Sequence, residues 1–197
     1  GSGFLSSWAN TLYQFVTTRD TKAQVVNGVA TFTNIPIKEG SIVTNTYTFN
    51  GALKSQKFII DNPGVDTSTI QVRVYPSTTS TLNQEYTLSE NILEAKPTSE
   101  IYFLEEISEE RYEIIFGDGV MGKNLENGNK IEISYLVTSG PEANGAKTFT
   151  FSGNLENQSG NVPVNFATAV TSSATVVAAG GADIESVDKV KLQAPKM

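Results

Sequence analysis

Apolar residues in this chain alternate with polar ones over short stretches more often than they recur at helical spacing. Ile70-Gln71-Val72-Arg73-Val74 alternates strictly, and residues 101–107, 111–116 and 131–137 keep the same period of two. That period puts successive side chains on opposite faces of a half-buried strand. Gln24-Val25-Val26 and Val29-Ala30-Thr31-Phe32 flank Asn27-Gly28, a pair that accepts the positive φ of a tight hairpin turn. A second pair, Asn50-Gly51, separates residues 42–49 from 58–60, and Asp61-Asn62-Pro63-Gly64 reads as a further turn. Phe149, Phe151, Val162 and Val164 mark shorter strands. Strands closely spaced between glycine and asparagine turns predict a mainly β fold, an antiparallel β-sandwich or barrel-like domain over residues 19–151. Its core is expected at Val72, Val74, Phe103, Ile114, Phe116, Ile131, Ile133 and Tyr135.

Helical spacing is confined to the two ends. Phe4, Leu5, Trp8, Leu12 and Phe15 fall near one face and predict an amphipathic helix within residues 1–18. That stripe either docks on the β domain or offers a surface to another chain. The opening Gly1-Ser2-Gly3 reads as a cloning scar or the start of an internal fragment. Residues 152–180, rich in small and polar side chains, are expected to form an extended, strand-bearing extension. In residues 181–197, Asp183 is placed to cap a short linker helix carrying Ile184, Val187 and Val190, with Pro195 ending it before a further domain.

Composition removes several kinds of chemistry. The chain has 197 residues, a net charge of −7 and neither histidine nor cysteine. Disulfides, thiol nucleophiles, the usual zinc ligands and histidine acid–base schemes are therefore excluded. An acidic surface repels phosphate backbones, so no nucleic-acid partner is expected. No apolar run is long enough to span a bilayer, so no membrane insertion is expected either.

Gly117-Asp118-Gly119-Val120-Met121-Gly122 spells a dinucleotide-binding fingerprint after a good strand. That fingerprint works only when the glycines lead into a helix whose amides hold a pyrophosphate. Here residues 123–129 are turn-rich and residues 131–137 alternate like a strand, so a tight glycine turn between strands is the better reading. Lys123 also lacks the Ser or Thr neighbour of a phosphate-binding loop. Glu105-Glu106 and Glu109-Glu110 resemble a catalytic carboxylate pair but crowd a charged turn, which reads as a solvated rim. Asp61, Asn62 and Asp66 miss the alternating ligand spacing of a calcium loop. The expectation is no enzyme, no cofactor, no metal and no small-molecule substrate.

Two runs carry a family resemblance: Phe116-Gly117-Asp118-Gly119 within residues 110–129, and Gly180-Gly181-Ala182-Asp183-Ile184-Glu185-Ser186 leading to Ala194-Pro195. With residues 33–40 and 57–70, they resemble the baseplate J-like family, wedge subunits of contractile, T-even-type phage tails. The resemblance implies a fragment of a larger structural protein of the virion, assembled in the bacterial host cytoplasm. Its partners would be other copies of itself and neighbouring wedge proteins, joined in a ring around the hub and rearranging on sheath contraction. Gly117, Asp118, Gly119, Gly180, Gly181 and Asp183 then carry structural roles, with Phe4, Leu5, Trp8, Leu12 and Phe15 as a possible interface. Two other readings stay open. A glycan-binding tail-fibre module would use Trp8, Tyr47, Tyr75 and Tyr86 to stack on sugars, and a glycan hydrolase would use Glu105, Glu106 or Glu109.

Overall fold

The computed structural model describes residues 3–53, 55–89, 95–107, 111–157, 160–162 and 170–182. In chain order its strands are β1 (Gly3–Trp8), β2 (Thr11–Thr17), β3 (Val25–Val26), β4 (Val29–Ala30), β5 (Ile37–Glu39), β6 (Ser41–Thr48), β7 (Phe58–Ile60) and β8 (Val65–Tyr75). Then come β9 (Gln84–Leu88), β10 (Ile101–Glu106), β11 (Tyr112–Phe116), β12 (Lys130–Val137), β13 (Thr150–Phe151), β14 (Leu155–Asn157) and β15 (Gly160–Val162). The fold is mainly β. A 3-10 turn at Gly140–Ala143 interrupts it, and among the described residues no helix is long and apolar enough to cross a membrane.

The chain divides into two compact units, Ile42–Val137 and the pair of segments Gly1–Ser41 with Thr138–Met197. The boundaries expected near residues 18 and 151 are thus replaced by crossings at 41/42 and 137/138. The inner unit is an insertion in the chain of the outer one, a relationship that composition cannot reveal.

The inner unit is a seven-stranded sheet of order β6-β12-β8-β9-β10-β11-β7, curled into a nearly closed barrel. Its centre is the β8–β12 pair, where Val72 faces Ile133 and Val74 faces Ile131. Val72, Ile131 and Ile133 are fully buried, each contributing about 1.5–3 kcal/mol by leaving water. The register slips between Ser134 and Leu136. This irregularity lets Tyr135 and Leu136 both be buried, and the Leu136 amide donates to the Thr69 hydroxyl at 3.0 Å. Side chains bridge the two edge strands. The Tyr47 hydroxyl donates to the Ile59 carbonyl at 2.9 Å, while Tyr135 donates to Asn62 and receives Asn45 Nδ2 at 3.2 Å.

Six of the eight expected core residues are buried. Phe116 lies partly buried against the same cluster, whereas Phe103 faces the other way. Ile101-Tyr102-Phe103-Leu104 is apolar at four successive positions, so alternation there has no readable phase. Pairing decides it: Tyr102 lies opposite Phe116 and Leu104 opposite Ile114, which turns Tyr102 inward.

The outer unit contains the sheet β13-β1-β2-β5. The helix expected over residues 1–18 is a hairpin instead. Ala9 and Asn10 both take positive φ, 48° and 65°, the geometry of a two-residue turn joining β1 to β2. Each arm has period two, and the intervening turn offsets them, so the summed pattern imitates helical spacing. Phe4 pairs with Phe15 and Ser6 with Tyr13, whose face is packed with Trp8, Ala143, Ala146 and Phe149. The proposed five-residue interface therefore does not exist as one face. Phe15 is 2% exposed, while Leu12, opposite Ser7, is 65% exposed. The expected C-terminal helix lies outside the described residues.

Candidate functional site

The glycine run after β11 is a knot of backbone contacts. A Cβ on Gly117 would lie 2.3 Å from the carbonyl carbon of Gly122, so these two glycines touch where no side chain fits. Gly119 and Gly122 sit at φ 87° and 90°. The Asp118 carboxylate accepts the amides of Val120 and Met121, both at 2.9 Å. Those two bonds hold its pKa below the usual carboxylate value. The Gly119 amide donates to the Gly122 carbonyl at 3.0 Å, the Gly122 amide to Lys96 at 3.1 Å, and the Lys123 amide to Ser99 at 2.8 Å.

A phosphate cradle needs those amides pointing at a ligand. Here they are taken by the loop and by residues 96–99. The glycines lead into a turn and then β12, with no helix between. Lys123 acts as a clamp: its ammonium donates to Gln84 at 2.8 Å and to Glu100 at 3.0 Å, tying the loop to the starts of β9 and β10. The dent beside it, lined by Val74, Pro76, Tyr86 and Asn129 among others, holds about 100 Å³, well below a small-molecule site.

The second run is held in the outer unit. Gly181 exchanges two hydrogen bonds with the Asn144 side chain, its amide reaching Oδ1 at 3.1 Å and its carbonyl receiving Nδ2 at 2.8 Å. A Cβ on Gly181 would stand 2.3 Å from the Gly140 carbonyl oxygen. Ala178 pairs through its backbone with Gly145 and Ala146 at 2.8 Å each. Gly145 in turn leaves room for the Trp8 ring, which a Cβ would meet at 2.5 Å. Gly180 has φ 91°, and Asp183 lies outside the described residues. Gly117, Asp118 and Gly119 thus belong to one unit, Gly180 and Gly181 to the other.

The candidate sugar-stacking aromatics are engaged inside the protein. Tyr47, Phe58, Phe116 and Tyr86 form a ladder of edge-to-face rings with centroids 5.2–5.6 Å apart. The Tyr75 ring is covered by the Lys130 ammonium at 3.7 Å, and its hydroxyl donates to Glu132 at 2.6 Å. Glu105 and Glu106 are exposed at the end of β10, opposite Glu113 and Tyr112; Glu109 lies outside the described residues. Asp66 accepts the amide and hydroxyl of Ser68 two residues along β8.

Sequence reasoning missed Asn144, the Lys123 clamp and the Lys130–Tyr75 contact. Asn144-Gly145 was legible as a turn, but its partners lie far along the chain in opposite directions, Gly181 after it and Trp8 before it. In comparison with known proteins, no family model and no curated protein matches this chain.

Proposed function

We propose that this chain is a structural subunit of a contractile phage tail baseplate wedge, one that joins wedges into a ring around the hub and rearranges on sheath contraction. The observation that carries the reading is the state of the two motif runs. Gly117 and Gly181 each press against neighbouring backbone at distances that exclude any side chain. Residues with that role shape a framework rather than perform a reaction, which supports assembly over catalysis. The family resemblance of the two runs supplies the identity of the framework.

The insertion of one unit in the chain of the other supports a mechanical role. The chain enters the barrel through β6 and leaves through β12, and these strands are neighbours in the sheet. Two adjacent crossings suit a rigid body that transmits a rotation.

Antibody raised against the chain, applied to intact particles and viewed by negative-stain electron microscopy, tests the proposal. Label on the plate at the tail end is the expected result. Label on fibre tips would make the protein an adhesin. Absence of label from intact, contracted and disrupted particles alike would overturn the wedge reading.

A further inference from the structure

Asparagine stands directly before glycine at four places, Asn27-Gly28, Asn50-Gly51, Asn127-Gly128 and Asn144-Gly145. Such pairs are chemically labile, because a glycine amide, unshielded by any side chain of its own, can attack the asparagine side-chain carbonyl. The attack needs a free amide nitrogen and a side chain free to turn toward it. Three of the pairs are denied both. The Gly51 amide donates to Asn127 Oδ1 at 2.9 Å, and Asn50 Oδ1 accepts the Ala52 amide at 3.0 Å. The Gly128 amide donates to the Phe49 carbonyl at 2.9 Å, so these two turns clasp each other. The Gly145 amide donates to the Ala178 carbonyl at 2.8 Å, and the Asn144 side chain holds both the amide and the carbonyl of Gly181.

Asn27-Gly28 differs. Among the described residues, neither the Asn27 side chain nor the Gly28 amide has a hydrogen-bond partner. Exposure does not make the distinction, since Asn50 and Asn127 are exposed as Asn27 is. Hydrogen bonding does. Asn27 and Gly28 close a two-stranded sheet of its own, Val25 opposite Ala30 and Val26 opposite Val29. A lone hairpin of this size opens at little cost, and opening frees the backbone rotation that ring closure needs.

We propose that Asn27 is the site of spontaneous deamidation in this chain, and that its isoaspartyl product undoes the β3–β4 hairpin. The Gly28 nitrogen bonds to Asn27 Cγ, and the bond from Cγ to the side-chain nitrogen breaks. That nitrogen leaves as ammonia, taking up the proton that the glycine amide gives up. Water then opens the cyclic imide, so that in sum an amide and water become a carboxyl group and ammonia, with nothing oxidised or reduced. Opening at the side-chain carbonyl leaves aspartate, which the same tight turn accepts, with one negative charge added. Opening at the backbone carbonyl leaves isoaspartate, whose chain runs through the side chain and is longer by one methylene. The turn then no longer sets Val26 opposite Val29.

The whole chain, held at mildly alkaline pH and sampled over weeks, is peptide-mapped by mass spectrometry, which reads the mass gained when an amide becomes an acid. Asn27 should convert about tenfold faster than Asn50, Asn127 or Asn144, whose turns must first give up their hydrogen bonds. In concentrated guanidinium chloride, where every turn is open, the four rates should converge to within about threefold. A folded chain in which any of the other three matches Asn27, or a spread of rates that denaturation leaves unchanged, would overturn the proposal. The effect on the turn is read by NMR. The isoaspartyl form, purified from aged protein, should lose the cross-strand contact between the Val26 and Val29 backbones, while Asn27→Asp keeps it. Equal behaviour of the two forms would overturn the role of the added methylene.

Discussion

Gly117 and Gly122 meet so closely that a methyl group on the first would lie 2.3 Å from the carbonyl carbon of the second. The obstacle is backbone, which cannot rotate away. Gly117→Ala should therefore cost about 2–4 kcal/mol. Gly119→Ala meets only the Asn124 Cβ at an ordinary 3.8 Å but inherits φ 87°, and should cost only about 1–2 kcal/mol. Urea unfolding of both variants checks the order; equal costs would mean that the loop relaxes around the added methyl.

Asp118 gives the same loop an acid limit. Its folded pKa is lowered, first by the Met121 amide and then by the Val120 amide. A lowered carboxylate contributes order above its unfolded value of 3.8 and loses it as the pH falls through the folded value. Amide resonances of Val120 and Met121 should hold steady through ordinary carboxylate titration and move only at lower pH. In Asp118→Ala they should already be displaced at neutral pH.

Tyrosines set the alkaline limit. Burial pushes up Tyr47, Tyr102 and Tyr135, the hydrogen bond to Glu132 pushes up Tyr75, and burial with Glu100 and Glu126 pushes Tyr86 up to about 12. A raised tyrosine contributes stability that is complete below its unfolded value of 10.0 and is lost as the pH rises through the folded value. The barrel should unfold cooperatively between those limits, with phenolate absorbance appearing in step with unfolding. Tyr86→Phe should remove on the order of 2 kcal/mol of that pH-dependent loss. Gradual ionisation of all tyrosines in a folded protein would refute this.

Ser6 points into the core of the outer sheet, 2% exposed, and its hydroxyl has no partner among the described residues. Leaving a buried hydroxyl unsatisfied costs free energy that a methyl does not. Ser6→Ala should raise stability by about 1 kcal/mol, read as a higher urea midpoint with an unchanged slope. A fall instead would show that the hydroxyl is bonded.

The β character of the chain and most of the barrel core were legible in the sequence. Val72, Val74, Ile131 and Ile133 occupy strictly alternating positions, and a period of two leaves one choice of face once either strand is buried. Asn27-Gly28 identified its hairpin because few pairs tolerate two positive φ values. Local chemistry also placed Gly117 in a turn between strands.

Only the tertiary structure decided the remainder. Phe103 lost its place in the core to Tyr102 because four apolar residues in a row carry no phase until Phe116 and Ile114 pair across from them. The hairpin at residues 3–17 imitated a helix because two period-two arms joined by a two-residue turn add up to helical spacing. Asn144 clasps Gly181, and Trp8 fills the space beside Gly145, through contacts distant along the chain. Periodicity determines which face of an element is apolar, since that is a property of neighbouring residues. What the face meets depends on chain closure over tens of residues, and no local pattern encodes it.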